Sequence, residues 1–278
     1  MSLVVAVVAP GNMGAAVGRR LTEHSVEVLT TLAGRSAASA TRASTAGMHI
    51  VPLEELARAE LVLSIVPPAA APPFAQQLAP SLRAAFRKPV FVDCNAVSPA
   101  TAQRIASVIE PTGAPFVDAG IIGPPPQAGG AQPSIYTSGA HAARVSVLRA
   151  HGLDIRVLDA PIGAASALKM SFAGITKGII AVATAMALAA TRAGTTNELR
   201  SELAAREPAL LASLGRKIPD MLPKAYRWVA EMQEISKFVM PEAGAGIYGS
   251  AAEVYEHVAR AMASDPAELE SLRNFFKP

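Results

Sequence analysis

The sequence predicts an α/β fold, a doubly wound and mainly parallel sheet, followed by an all-α second domain. Three observations carry this. Short runs rich in Val, Ile and Leu alternate with helix-forming stretches as far as about residue 160. The β-branched runs then stop, and the remaining segments are long and rich in Ala, Leu, Met and Glu. Runs that are apolar at every position suit strands buried on both faces, as in parallel sheets covered by helices.

The expected strands are 3–9, 26–32, 61–66, 90–92 and 116–119. Between them, 13–24, 36–46, 53–59, 73–86 and 100–109 have helix-forming composition. The Pro- and Gly-rich stretch 123–133 reads as a loop. Residues 1–160 therefore form the first domain and 161–278 an all-helical second domain. Its helices are expected at 163–191, 197–207, 224–239, 250–262 and 266–275, the last opened by Asp265 as N-cap with Pro266 at the first helical position.

Composition narrows the class. The chain has 278 residues, 51% of them hydrophobic and 17% charged, which excludes a disordered chain. Its 25 basic and 22 acidic residues are scattered and give a net charge of +3, so nucleic acid is not an expected partner. One cysteine, Cys94, cannot form an internal disulfide, and its place beside Asp93 without a histidine at a recognisable spacing suggests a buried thiol. With no basic leader before the apolar start, the cytoplasm is the expected compartment. The uncharged stretch 178–191, bracketed by Lys177 and Arg192, falls short of the about 20 residues a hydrocarbon core needs, so no membrane contact is expected.

The strongest local pattern is VVAVVAPGNMGAAVG, a buried strand that runs through Ala9, Gly11, Asn12, Met13 and Gly14 directly into a helix. This is a Rossmann-type dinucleotide fingerprint with its first glycine replaced by Ala9. Gly11 lets the backbone approach a pyrophosphate, Gly14 lets the helix pack on the strand, and the free N–H groups of the first turn face the phosphates. An NAD-specific site places an acidic residue after the second strand to hold the ribose hydroxyls. Here Arg35 and Ser36 stand in that place, a guanidinium and a hydroxyl suited to the 2′-phosphate of NADP.

Nicotinamide chemistry on an alcohol or carbonyl also needs a group that exchanges the hydroxyl proton. The five histidines have no carboxylate at a suggestive spacing and no metal-ligand pattern, so no metal is expected. Lys169, in GAASALKMSFAGITKG near the start of the long apolar helix, is the candidate general acid/base, and Thr176 at i+7 shares its face. On spacing alone, the alternative is that Lys169 and Lys177 both run to solvent. Asn95 follows the fifth strand, where it would meet nicotinamide or substrate; the plainer alternative is an Asx turn before Pro99. Arg227 would reach a substrate or form an ordinary i,i+4 pair with Glu231.

With these residues in view, the chain resembles the β-hydroxyacid dehydrogenase superfamily, relatives of 3-hydroxyisobutyrate and 6-phosphogluconate dehydrogenases. The resemblance rests on APGNMG at 9–14, VDCNAVSP at 92–99, DAGIIGP at 118–124 and GAASALK at 163–169. It is strongest to a 6-phosphogluconate dehydrogenase-like branch with a helical C-terminal domain of unknown function, through ASALKMSFAGITKG, RWVAEMQEI and AAEVYEHVA. The resemblance implies an NADP-linked oxidoreductase and a homodimer, with Lys169 as general acid/base and Asn95 and Thr176 beside it. It further implies cofactor contacts that include Val66 and Pro67, and a substrate pocket formed by Ile121, Ile122, Gly123, Phe172 and Arg227. Ile122 replaces the superfamily's carboxylate-binding serine, and Ala173 replaces its asparagine, so the pocket is more apolar than that of a small β-hydroxyacid enzyme. The substrate is then a small molecule, a larger hydroxy or carbonyl compound. An imine reductase on the same scaffold is one alternative, although such enzymes commonly lack the lysine, and a non-catalytic NADP-binding sensor is another.

Overall fold

Eight strands form one sheet in the computed structural model, which describes residues 3–127, 129–239, 244–264 and 266–277. The chain divides into two compact units, Met1–Met170 and Ser171–Pro278.

In the first unit, β1 (Val4–Val8) leads into α1 (Asn12–Glu23), β2 (Glu27–Thr30) into α2 (Ala37–Thr45), and β3 (His49–Ile50) into the 3₁₀ turn Leu53–Arg58. Strand β4 (Leu61–Ser64), α3 (Ala71–Ala84), β5 (Val90–Asp93), α4 (Pro99–Ile109) and β6 (Phe116–Ile122) continue the alternation. The sheet closes with β7 (Ser134–Ser138) and β8 (Asp154–Val157). The order is β3-β2-β1-β4-β5-β6-β7-β8, parallel throughout except for the antiparallel β6–β7 pair. Strand order reverses between β1 and β4, the position at which doubly wound sheets bind ligands beyond their carboxyl ends.

Alternate residues of each strand feed two cores, one on each face of the sheet. Val5 and Val7 pack with Val17 and Leu21 of α1, and Ala6 and Val8 with Phe74 and Leu78 of α3 and Ile105 of α4. Burial on both faces is why β1 is apolar throughout, and why β4 and β5 are apolar up to the Ser64 and Asp93 that end them.

The sequence reading omits three strands. The two residues of β3 are both exposed, while β7 (SIYTS) and β8 (DIRV) mix polar and apolar positions because they lie at or near the edge of the sheet. The stretch expected as a helix at 53–59 is a 3₁₀ turn, and the expected loop separates β6 from the antiparallel β7.

Helix α5 (Ala164–Ala193) starts in the first unit and continues into the second, where α6 (Thr196–Arg206), α7 (Pro208–Met221), α8 (Ala225–Phe238), α9 (Gly244–Ser264) and α10 (Pro266–Phe276) follow. Helix α7 is absent from the sequence reading because Gly215 and Pro219 interrupt its pattern. Helix α9 begins earlier than expected, since Gly244, Gly246 and Gly249 lie within it. Asp265, the expected cap of α10, lies outside the described residues. Tyr255, fully buried, meets Trp228 edge-on at 5.1 Å in the core of this unit.

By length and composition α5 could cross a membrane, a property that a long core helix shares. Within it, the ammonium of Lys177 pairs with the buried Glu231 carboxylate and lies 4.7 Å from the Trp228 ring centroid. One face of α5 carries Ile175, Ile179, Val182 and Met186, each about half exposed or more, and it borders an apolar groove of about 610 Å³ with Leu210 and Ile247.

Candidate active site

Register places four residues in one row across the sheet: Val8 pairs with Ser64, Ser64 with Asp93, and Asp93 with Asp118. Beyond this row the parallel strands end, and the chain segments there line the carboxyl edge. They include Ala9–Gly14, the turn after β4, Cys94–Asn95, and Gly120–Ile122 of the longer β6.

At β1, the backbone passes through Ala9, which is buried, to Gly11, the N-cap of α1. A Cβ on Gly14 would stand 2.0 Å from the Ala9 carbonyl oxygen, so only glycine allows the helix to approach the strand. Gly11 differs. Its φ is −73°, ordinary for any residue, and a Cβ there would meet nothing within 4 Å. Packing gives no reason for this glycine, but a phosphate approaching the backbone does. Among the described residues no side chain caps α1, and its first turn holds no acidic residue, so the positive end of the helix remains available to an anion. Asn12 is exposed and Met13 partly buried against the core. These residues fit the pyrophosphate of a nicotinamide dinucleotide.

After β2, Gly34 adopts a left-handed φ of +67°, and Arg35 and Ser36 follow at the start of α2, Arg35 half-buried and Ser36 exposed. Sequence reading missed Arg42 of α2. Its guanidinium donates from Nε to the Pro10 carbonyl at 2.9 Å and from Nη2 to Ser39 Oγ at 3.0 Å, which brings a cation to the dinucleotide loop.

Asn95 is buried and its amide is committed within the unit. Its Oδ1 accepts from the Val66 backbone N–H at 2.6 Å, and its Nδ2 donates to Ser64 Oγ at 2.9 Å and to Asp93 Oδ1. The side chain therefore fixes the turn after β4, with Val66 buried and Pro67 exposed. Asn95 thus lies at the carboxyl edge, where its contact with nicotinamide or substrate is expected, and its side chain makes this bracket rather than the alternative Asx turn; Ser98 caps α4. Burial, and then the charge of Asp118, push the Asp93 carboxyl up to about 7. Its Oδ2 has no partner among the described residues. Burial also pushes the Cys94 thiol up, followed by the charges of Asp93 and Asp118, as suits an unreactive buried cysteine.

Asp118, fully buried, organises the start of α5. Its Oδ2 accepts from the backbone N–H groups of Gly163 (2.9 Å) and Ser166 (3.1 Å) and from Ser138 Oγ (2.9 Å), while Oδ1 accepts from Ser166 Oγ at 2.6 Å. Ser138 Oγ in turn accepts from the Ala165 N–H at 3.1 Å. A buried carboxylate thus holds the positive end of α5 against β6. The contact is close: a Cβ on Gly120 would lie 2.7 Å from the Ala165 carbonyl oxygen and 2.9 Å from Lys169 Cβ. Lys169, partly exposed, therefore stands over Gly120, two residues past the row that ends the parallel strands.

Side chains alternate along β6, so Ile122 shares the Asp118 and Gly120 face. Ile121 points the other way, into the core with Val117 and Ala119, and does not line a pocket on the Lys169 face. Gly123 is exposed, with φ +126°. In the second unit, Phe172 is 47% exposed, while the Thr176 hydroxyl donates to the Phe172 carbonyl at 2.8 Å within its own helix. Arg227 is exposed and donates to the Tyr226 hydroxyl at 2.8 Å; its expected partner, Glu231, pairs instead with Lys177. Among the described residues, no group of three or more His, Cys, Asp or Glu could hold a metal.

Residues 4–150 match the model of the NAD binding domain of 6-phosphogluconate dehydrogenase. The chain belongs to that family. Residues 190–258 match a domain of unknown function, DUF1932. A conserved protein of unknown function, described as structurally similar to 3-hydroxyacid dehydrogenases, is 29% identical with a TM-score of 0.68, covering 94% of this chain and 98% of its own. The 3-hydroxyisobutyrate dehydrogenase of Mycobacterium tuberculosis is 18% identical with a TM-score of 0.66, over 98% of this chain and 100% of its own. An imine reductase of Myxococcus stipitatus, solved with NADP+, is 16% identical with a TM-score of 0.58 over 100% of both chains. The protein thus has a hydroxyacid dehydrogenase-like fold with an NAD(P)-binding domain.

Proposed function

We propose that the protein is an NADP(H)-dependent oxidoreductase that interconverts a hydroxy and a carbonyl compound, with Lys169 as general acid/base. The observation that carries this reading is the placement of Lys169. The Asp118 bracket sets it over Gly120, at the same sheet edge as the Gly11 loop. Strands β1 and β6 are three positions apart in the sheet, about 14 Å at the usual strand spacing.

The bound nicotinamide supplies or accepts the hydride. The Lys169 ammonium gives a proton to the carbonyl oxygen in reduction, and the amine takes it back in oxidation. Ile122, on the same face, presents a methyl-rich surface to the substrate, which favours a larger, less charged molecule than a short hydroxyacid. Arg35 and Ser36 favour the 2′-phosphate of NADP over a bare ribose. An imine substrate is the second reading, supported by the fold shared with the imine reductase and by the absence of a carboxylate-binding serine at Ile122.

Lys169→Ala is expected to retain NADPH affinity in a fluorescence titration and to lose about a hundredfold or more in kcat on whichever ketone, imine or hydroxyacid an NADPH-oxidation screen identifies. Unchanged kcat would remove Lys169 from the mechanism. Retained NADPH binding with no turnover on any class would favour a sensor.

The apolar face of α5 supports self-association as a homodimer, because a contiguous stripe of this kind is rarely left in water. Val182→Asp is expected to convert a dimer to a monomer in sedimentation velocity. A wild-type chain that sediments as a monomer at micromolar concentration overturns the dimer, and co-sedimentation with lipid vesicles would assign the stripe to a membrane.

A further inference from the structure

Arg42 is the one charged residue of α2, and its guanidinium is held at two points. One anchor is the carbonyl of Pro10, next to Gly11 in the dinucleotide loop, and the other is the hydroxyl of Ser39 in the first turn of α2. Long side chains on helices lean toward the N-terminus, which carries the guanidinium back over that turn. The Ser39 hydroxyl lies 3.3 Å from that of Ser36, so two hydroxyls and a cation form one chain beside the residues that follow β2.

Both anchors of Arg42 are neutral. Among the described residues no carboxylate pairs with it, and its Nη1 makes no hydrogen bond. Tying Pro10 to Ser39 needs two donors but no charge. The charge and the remaining N–H groups are left for an anion, already oriented because the guanidinium plane is fixed.

We propose that Arg42, with Ser36 and Ser39, completes the binding site for the 2′-phosphate of NADP(H), acting as a second cation beside Arg35. The proposal rests on the NADP reading above and adds a specificity-determining residue to it. The ribose 2′ position falls after the second strand in sheets of this kind, where the Arg42 guanidinium is held. Arg35 closes the site from the turn, and Arg42 supports it from the helix.

Calorimetric titration of the full chain with adenosine 2′,5′-bisphosphate and with 5′-AMP isolates the 2′-phosphate without a nicotinamide or any turnover. The wild type is expected to bind the bisphosphate more tightly by about tenfold or more, as for charge-assisted hydrogen bonds to one phosphate. Arg42→Ala should lose about tenfold in bisphosphate affinity while 5′-AMP affinity stays within about twofold. Arg42→Gln can still donate to Pro10, so it keeps the loop tied while removing the charge, and it should show the same selective loss. Equal losses for both ligands in Arg42→Gln would make Arg42 a loop support and overturn the proposal, as would no loss for either. A wild type that does not distinguish the two ligands would overturn the NADP reading itself, and this proposal with it.

Discussion

Helices α1 and α5 both begin at the carboxyl edge of the sheet in the first unit, but their N-termini are satisfied in opposite ways. At α5, the carboxylate of Asp118 and the hydroxyl of Ser138 take up the N–H groups of Gly163, Ala165 and Ser166, and none of these groups faces outward. At α1, Gly11 offers no side chain and the first turn holds no acid. The same device, a row of free donors at the positive end of a helix, is closed internally in one place and left for an external anion in the other. The closed end fixes the turn that carries Lys169, and the open end leaves its donors to an anion. A carboxylate at α1 would compete with phosphate; a missing carboxylate at α5 would leave Lys169 on an unanchored turn.

The largest effect should come from breaking the closed end. Asp118→Ala leaves the Gly163 and Ser166 N–H groups and the hydroxyls of Ser138 and Ser166 without their acceptor in a buried place. Urea unfolding should register a loss of about 3–5 kcal/mol. Asp118→Asn keeps an acceptor oxygen and should lose less. A loss below about 1 kcal/mol for Asp118→Ala would show that the carboxylate does not anchor α5. Asp93 sharpens the contrast, because it is the register neighbour of Asp118 yet has one carboxylate oxygen without a partner among the described residues. Two adjacent buried carboxylates are served unequally: the helix end supports one, and the burden of burial falls on the other.

The sheet of this unit was legible in the sequence wherever strands are buried on both faces. The short Val- and Leu-rich runs of β1, β4 and β5, bounded by turn residues, read as buried strands, whereas β7 and β8 carry Ser, Thr, Asp and Arg and give no such signal. The dinucleotide loop was legible because its glycines answer to local geometry. The hydrogen bonds of Asn95 were not, since Ser64 and Val66 belong to the neighbouring strand and the turn after it, at separations no spacing rule covers. Arg42 was missed for the same reason: it meets Pro10 across 32 residues, and an isolated arginine among small residues of a helix has no motif. The Arg227–Glu231 spacing gave a pair that the fold does not form, because the Lys177 ammonium, 54 residues from Glu231 in sequence, reaches the carboxylate instead. Local patterns thus identified the backbone devices of the site, while long-range side-chain contacts required the fold.

The smallest expected change in stability tests the open end. Gly11→Ala adds a Cβ to a position with an ordinary φ and no atom within 4 Å, so unfolding free energy should fall by no more than about 1 kcal/mol, the cost of alanine at an N-cap. Affinity for NADPH should nonetheless drop by about tenfold or more, because the added methyl stands where the pyrophosphate meets the backbone. Gly14→Ala provides the inverse control, since its Cβ collides with the Ala9 carbonyl and should destabilise the unit with or without cofactor. If Gly11→Ala bound NADPH as the wild type does, the open end of α1 would need another explanation than phosphate, and the contrast with α5 would reduce to a difference in capping alone.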